Sequence, residues 1–400
     1  MSAVAWIAVG SLVVWMWLLL GQGFFWRTDQ RLPARRDPVR WPSVAVIVPA
    51  RDEAEVLPVS LTSLLAQDYP GDAEVFLVDD CSEDGTGELA RALSVRCGGL
   101  PLTVVTPGEP EPGWTGKLWA LRHGMALARQ RKPEFLLLTD ADIAHEPDSL
   151  RELVAAAGAG DAGGFDLVSQ MARLRVTSTW ERLVVPAFVY FFGQLYPFRR
   201  VNRAGARTAA AAGGCVLLRS GAAERAGVPD SIRQSVIDDV SLARAVRRTG
   251  GRIWLGLAER VDSVRPYPGL ADLWRMVSRS AYAQLRHSPP LLAGTVLGLG
   301  LVYVAPPVTL CDGLAAGDPV AAAAGGVAWA VMAGTYMPML RYYRQSFWLA
   351  PLLPFTAVLY LLMTVDSAVQ HHRGAGAAWK GRTYARPGAA PEPGTLGTGP

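Results

Sequence analysis

The chain has 400 residues, half of them hydrophobic and 18% charged, with a formal net charge of +4. Soluble chains carry about 25% charged residues, so the composition excludes a disordered protein and argues against an enzyme that is soluble throughout. The 39 basic residues, all arginine except Lys117, Lys132 and Lys380, are too evenly balanced by 35 acidic ones for nucleic acid to be the main partner.

The first element is an uncharged run, Ser2 to Trp26, long enough for a helix to cross a hydrocarbon core of about 30 Å. Arg27, Arg31, Arg35, Arg36 and Arg40 follow it. A secretory signal places its charge before the apolar run and a small-residue cleavage site after it. Residues 1–26 therefore read as a transmembrane anchor with a cytoplasmic C-terminal flank.

Residues 27–287 alternate like an α/β domain. Short apolar runs at Val44 to Val48, Val75 to Val78, Leu102 to Val105 and Phe135 to Leu138 predict buried strands. Between them, Leu57, Leu61, Leu64 and Leu65, then Leu89 and Leu93, then Leu118, Leu121 and Met125 repeat at helical spacing. The pattern predicts a parallel-rich sheet covered by helices, whose ligands bind beyond the carboxyl ends of the strands. Farther on, Leu183 to Phe198 is aromatic and nearly uncharged, reading either as a core helix or as an interfacial element gripping lipid.

Behind this domain, residues 288–370 hold three more apolar segments, Pro289 to Cys311, Pro319 to Leu340 and Phe347 to Val365. Three full spans would put the basic residues Arg373, Lys380, Arg382 and Arg386 outside, against the positive-inside rule. A re-entrant segment would resolve this, and Pro351 and Pro354 interrupt the last one. The tail 371–400 is expected to be partly disordered, since Pro387 to Pro400 is rich in proline and glycine. Cys81, Cys97, Cys215 and Cys311 show no metal or disulfide spacing, and His123, His145 and His287 no ligand rhythm.

Three strand ends deliver acids: Pro49-Ala50-Arg51-Asp52-Glu53, Asp79-Asp80-Cys81-Ser82-Glu83-Asp84-Gly85, and Thr139-Asp140-Ala141-Asp142. Two carboxylates one residue apart can share a hard cation and leave its other positions to phosphate oxygens and water. Asp140 and Asp142 thus suit Mg²⁺ or Mn²⁺ bridging a nucleotide diphosphate. A plainer reading, solvated acids near a helix start, fits Asp148, Ser149 and Glu152 better. Asp79 reads as a turn cap, and Asp84 equally as a turn acid or a site residue.

Together with Asp238-Asp239, these motifs make residues 42–262 resemble the inverting family 2 glycosyltransferases of GT-A fold. The loop Gly113-Trp114-Thr115-Gly116-Lys117, the apolar C-terminal third and the closing Trp379-Lys380-Gly381-Arg382-Thr383-Tyr384 are most similar to the bacterial hopene-associated members. The resemblance implies a multi-pass protein of the cell inner membrane with a cytoplasmic catalytic domain, moving one sugar from a UDP-sugar to a lipid acceptor. It implies Pro49, Glu53 and Asp80 at the uridine, Lys117 at the diphosphate, and Asp140 and Asp142 on the metal. Asp239 would be the base that deprotonates the acceptor. The shorter Asp238 stands where the family usually has glutamate. Gly213-Gly214 reads either as close approach to the acceptor or as a tight strand entry. Processive members carry Gln/Arg-x-x-Arg-Trp before the membrane helices. Met276-Val277-Ser278-Arg279-Ser280 keeps only Arg279, which implies a single transfer rather than polymer extrusion.

Overall fold

The computed structural model describes residues 1–159, 163–373, 378–379 and 382–383. The Pro/Gly-rich stretch, Lys380 and Arg386 lie outside them.

The four predicted strands form as β1 (Val44–Ala50), β2 (Ala73–Asp79), β3 (Leu102–Val105) and β4 (Phe135–Thr139). They pair in parallel, with Val44 opposite Ala73 and Ile47 opposite Leu138. All seven residues of β1 are buried, as expected of a strand covered on both faces. Four further strands complete one sheet: β5 (Ile143–His145), β6 (Leu167–Arg173), β7 (Cys215–Arg219) and β8 (Ile253–Ser263). The order is β3-β2-β1-β4-β7-β6-β8-β5. β7 runs antiparallel to β4 and β6, while β8 is parallel to β6. The carboxyl ends of β1, β2, β4 and β8 and the amino end of β7 therefore share one edge, and the chemistry collects there.

The aromatic stretch forms the helix Thr179–Leu195, entered through a capping box between Ser178 and Glu181. It is a core helix: Val184, Val185 and Tyr190 are fully or almost fully buried. The Tyr190 hydroxyl bonds Thr335, and the Tyr360 hydroxyl bonds the Val184 carbonyl. Tertiary packing thereby settles the alternative that the sequence left open.

Among the described residues, four helices are long and apolar enough to cross a membrane: Ala3–Leu20, Pro289–Ala316, Pro319–Tyr342 and Phe347–His372. The first packs on the next two. The Ser2 hydroxyl donates to Asp318, that of Ser11 to the Leu301 carbonyl, and the Trp15 indole to the Val302 carbonyl. Those carbonyls belong to a π-helical turn, Gly300–Val304, whose widened geometry leaves polar groups that need partners away from water. Gly325 lets two helices touch: a Cβ there would sit 2.4 Å from the Thr309 hydroxyl.

The last apolar segment returns to the side it starts from. Just before it, Tyr342 donates to Ala258 of β8. Pro351 lies against Trp329, midway along its neighbour. At its far end His371 stacks on His287, which precedes the helix Pro289–Ala316. Both ends of the third span expected in this region thus lie next to the sheet domain.

Candidate active site

A cavity of about 650 Å³ opens at the shared strand edge, a size that holds one small-molecule complex. It is lined by Pro49, Glu53, Lys117, Asp140, Asp142, Gly213, Gly214, Asp238, Asp239 and Arg279. Nearly every residue singled out from the sequence is therefore brought together. Asp80 is the exception. It is fully buried, lies 3.7 Å from the Arg51 guanidinium and is absent from the cavity wall. It stands one residue beyond β2, where its backbone N–H donates to the Ala50 carbonyl. The neighbouring acids act as turn residues: Asp79 accepts from the Ser82 amide, and Asp84 from Thr86 and the Ala54 amide.

Lys117 sits in the first turn of the helix Gly116–Arg129, where Thr115 is the N-cap. Its ammonium stands 2.8 Å from Asp140 and 3.0 Å from Asp238. Burial opposes its charge, but the two carboxylates outweigh that and hold it protonated. Asp140 responds the other way. Burial raises its pKa, Lys117 lowers it, and the nearby Asp142 and Asp238 raise it again. A close carboxylate pair with incomplete compensation fits a divalent cation. No group of three or more His, Cys, Asp or Glu side chains among the described residues could hold a metal unaided. The pair would leave the remaining positions to phosphate oxygens and water.

Asp239 lies in the first turn of the helix Asp238–Arg248. Its carboxylate accepts from the Gly213 and Val240 amides at 2.9 and 2.7 Å. Burial first, and then the Asp238 charge, push its pKa up to about 7 against the pull of Lys117 and the two amides. A carboxylate poised near neutrality has the basicity that proton abstraction at neutral pH needs. Gly213 thus holds the Asp239 carboxylate through its backbone, and Gly214 packs on Ile143.

Sequence reasoning missed Arg265. It follows β8 by two residues, reaches Glu53 at 2.5 Å and approaches Asp142 at 3.5 Å. Ser263 donates to the same Asp142 oxygen at 2.7 Å. Extending the strand-end search to Ile253–Ser263 would have found both. His287 was set aside as incidental, yet it lines the cavity with His371, Ser367 and Tyr282. His145 is a core residue, bonded to Thr139 and Ser149.

One end of the cavity is thus carboxylate and cation. The other is bounded by the helix Leu270–Gln284 and the end of the helix Leu353–His372.

A family model described as "Glycosyltransferase like family 2" matches residues 42–283. Two curated relatives are an undecaprenyl-phosphate 4-deoxy-4-formamido-L-arabinose transferase of Pseudomonas aeruginosa and an undecaprenyl-phosphate mannosyltransferase of Micrococcus luteus. The first is 28% identical over 141 residues, covering 35% of this chain and 38% of its own length. The second is 32% identical over 118 residues, 30% of this chain and 45% of its own length. The chain thus spans less than half the length of either. Among solved structures, the mannosyltransferase PcManGT of Pyrobaculum calidifontis, in complex with GDP-Man and Mn²⁺, aligns with 91% of this chain and 99% of its own. Its TM-score is 0.57 at 21% identity, a likeness of fold that bears out the GT-A expectation.

Proposed function

The chain belongs to the glycosyltransferase like family 2, and on that premise we propose that it moves one sugar, with inversion, from a UDP-sugar to the hydroxyl of a membrane lipid. The observation that carries this reading is a single cavity, acidic and cationic at one end and reaching the apolar helix Leu353–His372 at the other. Asp239 takes the acceptor proton. Asp140 and Asp142 would hold Mg²⁺ or Mn²⁺, which supplies positive charge to the departing diphosphate. Lys117, at a helix start, favours the same anion, and Glu53 with Pro49 flanks the nucleoside. The neighbour bound to GDP-Man and Mn²⁺ supports metal use. A hopanoid is the acceptor that the sequence resemblance favours, and the arginines after the anchor favour a cytoplasmic catalytic face at the inner membrane.

The test is release of UDP by purified protein given UDP-sugars and hopanoid or total lipid extract. Release that needs Mn²⁺ and fails with Asp239→Asn is expected. No release with any donor, or release indifferent to both changes, overturns the reading.

A second reading has a specific support: Arg275, Arg279, His287 and His371 line the helix-bounded end of the cavity and suit a polyprenyl phosphate, the acceptor named for the curated relatives. The mass of the glycosylated lipid separates the two.

A further inference from the structure

We infer that Arg265 is the counter-ion a divalent metal displaces at Asp142, and that it then passes to the donor's diphosphate. This rests on the proposed reading of Asp140 and Asp142 as the metal pair.

Six carboxylates line the cavity: Asp272 pairs with Arg275, and of the other five, Glu53, Asp140, Asp142, Asp238 and Asp239, Lys117 and Arg265 pair with four. Each acid of the D-x-D pair therefore has one protein cation: Lys117 at Asp140 and Arg265 at Asp142. The two legs of Arg265 are unequal. Its Nη2 grips Glu53 at 2.5 Å, whereas its Nε stands 3.5 Å from Asp142. The first is a charge-assisted hydrogen bond, and the second is only close approach. Burial favours the grip, since the Glu53 side chain is 8% exposed and that of Asp142 15%.

A metal ion at Asp142 competes with the looser leg alone. Arg265 can yield it and stay anchored on Glu53, beside the position proposed for the nucleoside. A guanidinium left next to a divalent cation is repelled, and a planar donor set so placed matches phosphate oxygens. The metal should therefore bind weakly until a diphosphate arrives to take Arg265, so that metal and donor help each other by the same factor.

The experiment titrates Mn²⁺ into the detergent-solubilised full chain, reading free Mn²⁺ by electron paramagnetic resonance, with and without UDP. Arg265→Gln should bind Mn²⁺ alone about tenfold more tightly than the unaltered protein. Its affinity for UDP at saturating Mn²⁺ should fall about tenfold. Arg265→Lys keeps the charge but cannot bridge both acids, and should tighten Mn²⁺ about threefold. That variant decides the question if Arg265→Gln does not fold. A merely structural arginine would loosen both affinities on removal, so equal or weaker Mn²⁺ binding overturns the inference, as does unchanged affinity for UDP. Should that occur while UDP release still requires Mn²⁺, the counter-ion role alone fails. If release is independent of metal, the metal pair itself is wrong.

Discussion

The backbone N–H of Gly213 donates to the carboxylate of Asp239 at 2.9 Å, tying the strand entry to the first turn of the helix Asp238–Arg248. The same carboxylate lines the cavity, and each of its oxygens is held by one backbone amide, Gly213 or Val240. Asp239→Asn keeps the shape and removes the basicity. The expected loss in kcat is about 10²- to 10⁴-fold, with UDP affinity within about twofold. Steady-state kinetics with parallel UDP binding checks both.

The pH dependence follows from the same group. Burial beside Asp238 raises Asp239 to about 7, and the active form is the deprotonated one. Below that pH kcat/KM should fall about tenfold per unit, and above it level off. A profile flat from about pH 5.5 to 8.5 would exclude Asp239 as the base.

Lys117 separates two acids that would otherwise face each other across the cavity. Lys117→Met leaves these half-buried acids without that cation, so their like charges are no longer compensated. A melting temperature lowered by several degrees is expected, largely restored by millimolar Mn²⁺. Restoration by NaCl at equal ionic strength would show general screening instead.

His145 gives stability its own pH dependence. Burial lowers its pKa to about 4 from an ordinary value near 6.5. The unfolded chain then binds the proton more readily than the folded one, so stability falls as pH drops from about 6.5 to 4. Thr139 gives its hydroxyl hydrogen to the Gly214 carbonyl, leaving the His145 Nε2–H to donate to Thr139. His145→Gln should flatten the slope of unfolding free energy in that window, measured by denaturant titration at successive pH values.

A last apolar segment with both ends next to the sheet domain predicts sidedness. In a cysteine-free background, Ala316→Cys and Arg373→Cys should react with a membrane-impermeant maleimide from opposite faces of sealed vesicles. Labelling of both from one face would mean that the last segment crosses fully.

Much of the sheet domain was legible because buried parallel strands appear as unbroken apolar runs, and the helices between them repeat at a period the chain displays locally. β1 to β4 formed where those runs stand. The acids of the site were legible for the same reason: Asp140 and Asp142 directly follow a strand, and the fold puts every such end at one edge. The antiparallel β7 and β5 were not, since strand direction is set by partners distant in the chain.

By itself the sequence determined the family, the apolar first helix and the carboxylates that the cavity gathers, all of which rest on neighbours a few positions apart. Only the tertiary structure decided the partnerships. Arg265 meets Glu53 across 212 positions, His371 closes on His287, and Asp80 is buried beside Arg51. Ion pairs and ring stacks join charges and faces wherever the chain happens to cross, and no local periodicity records where that is.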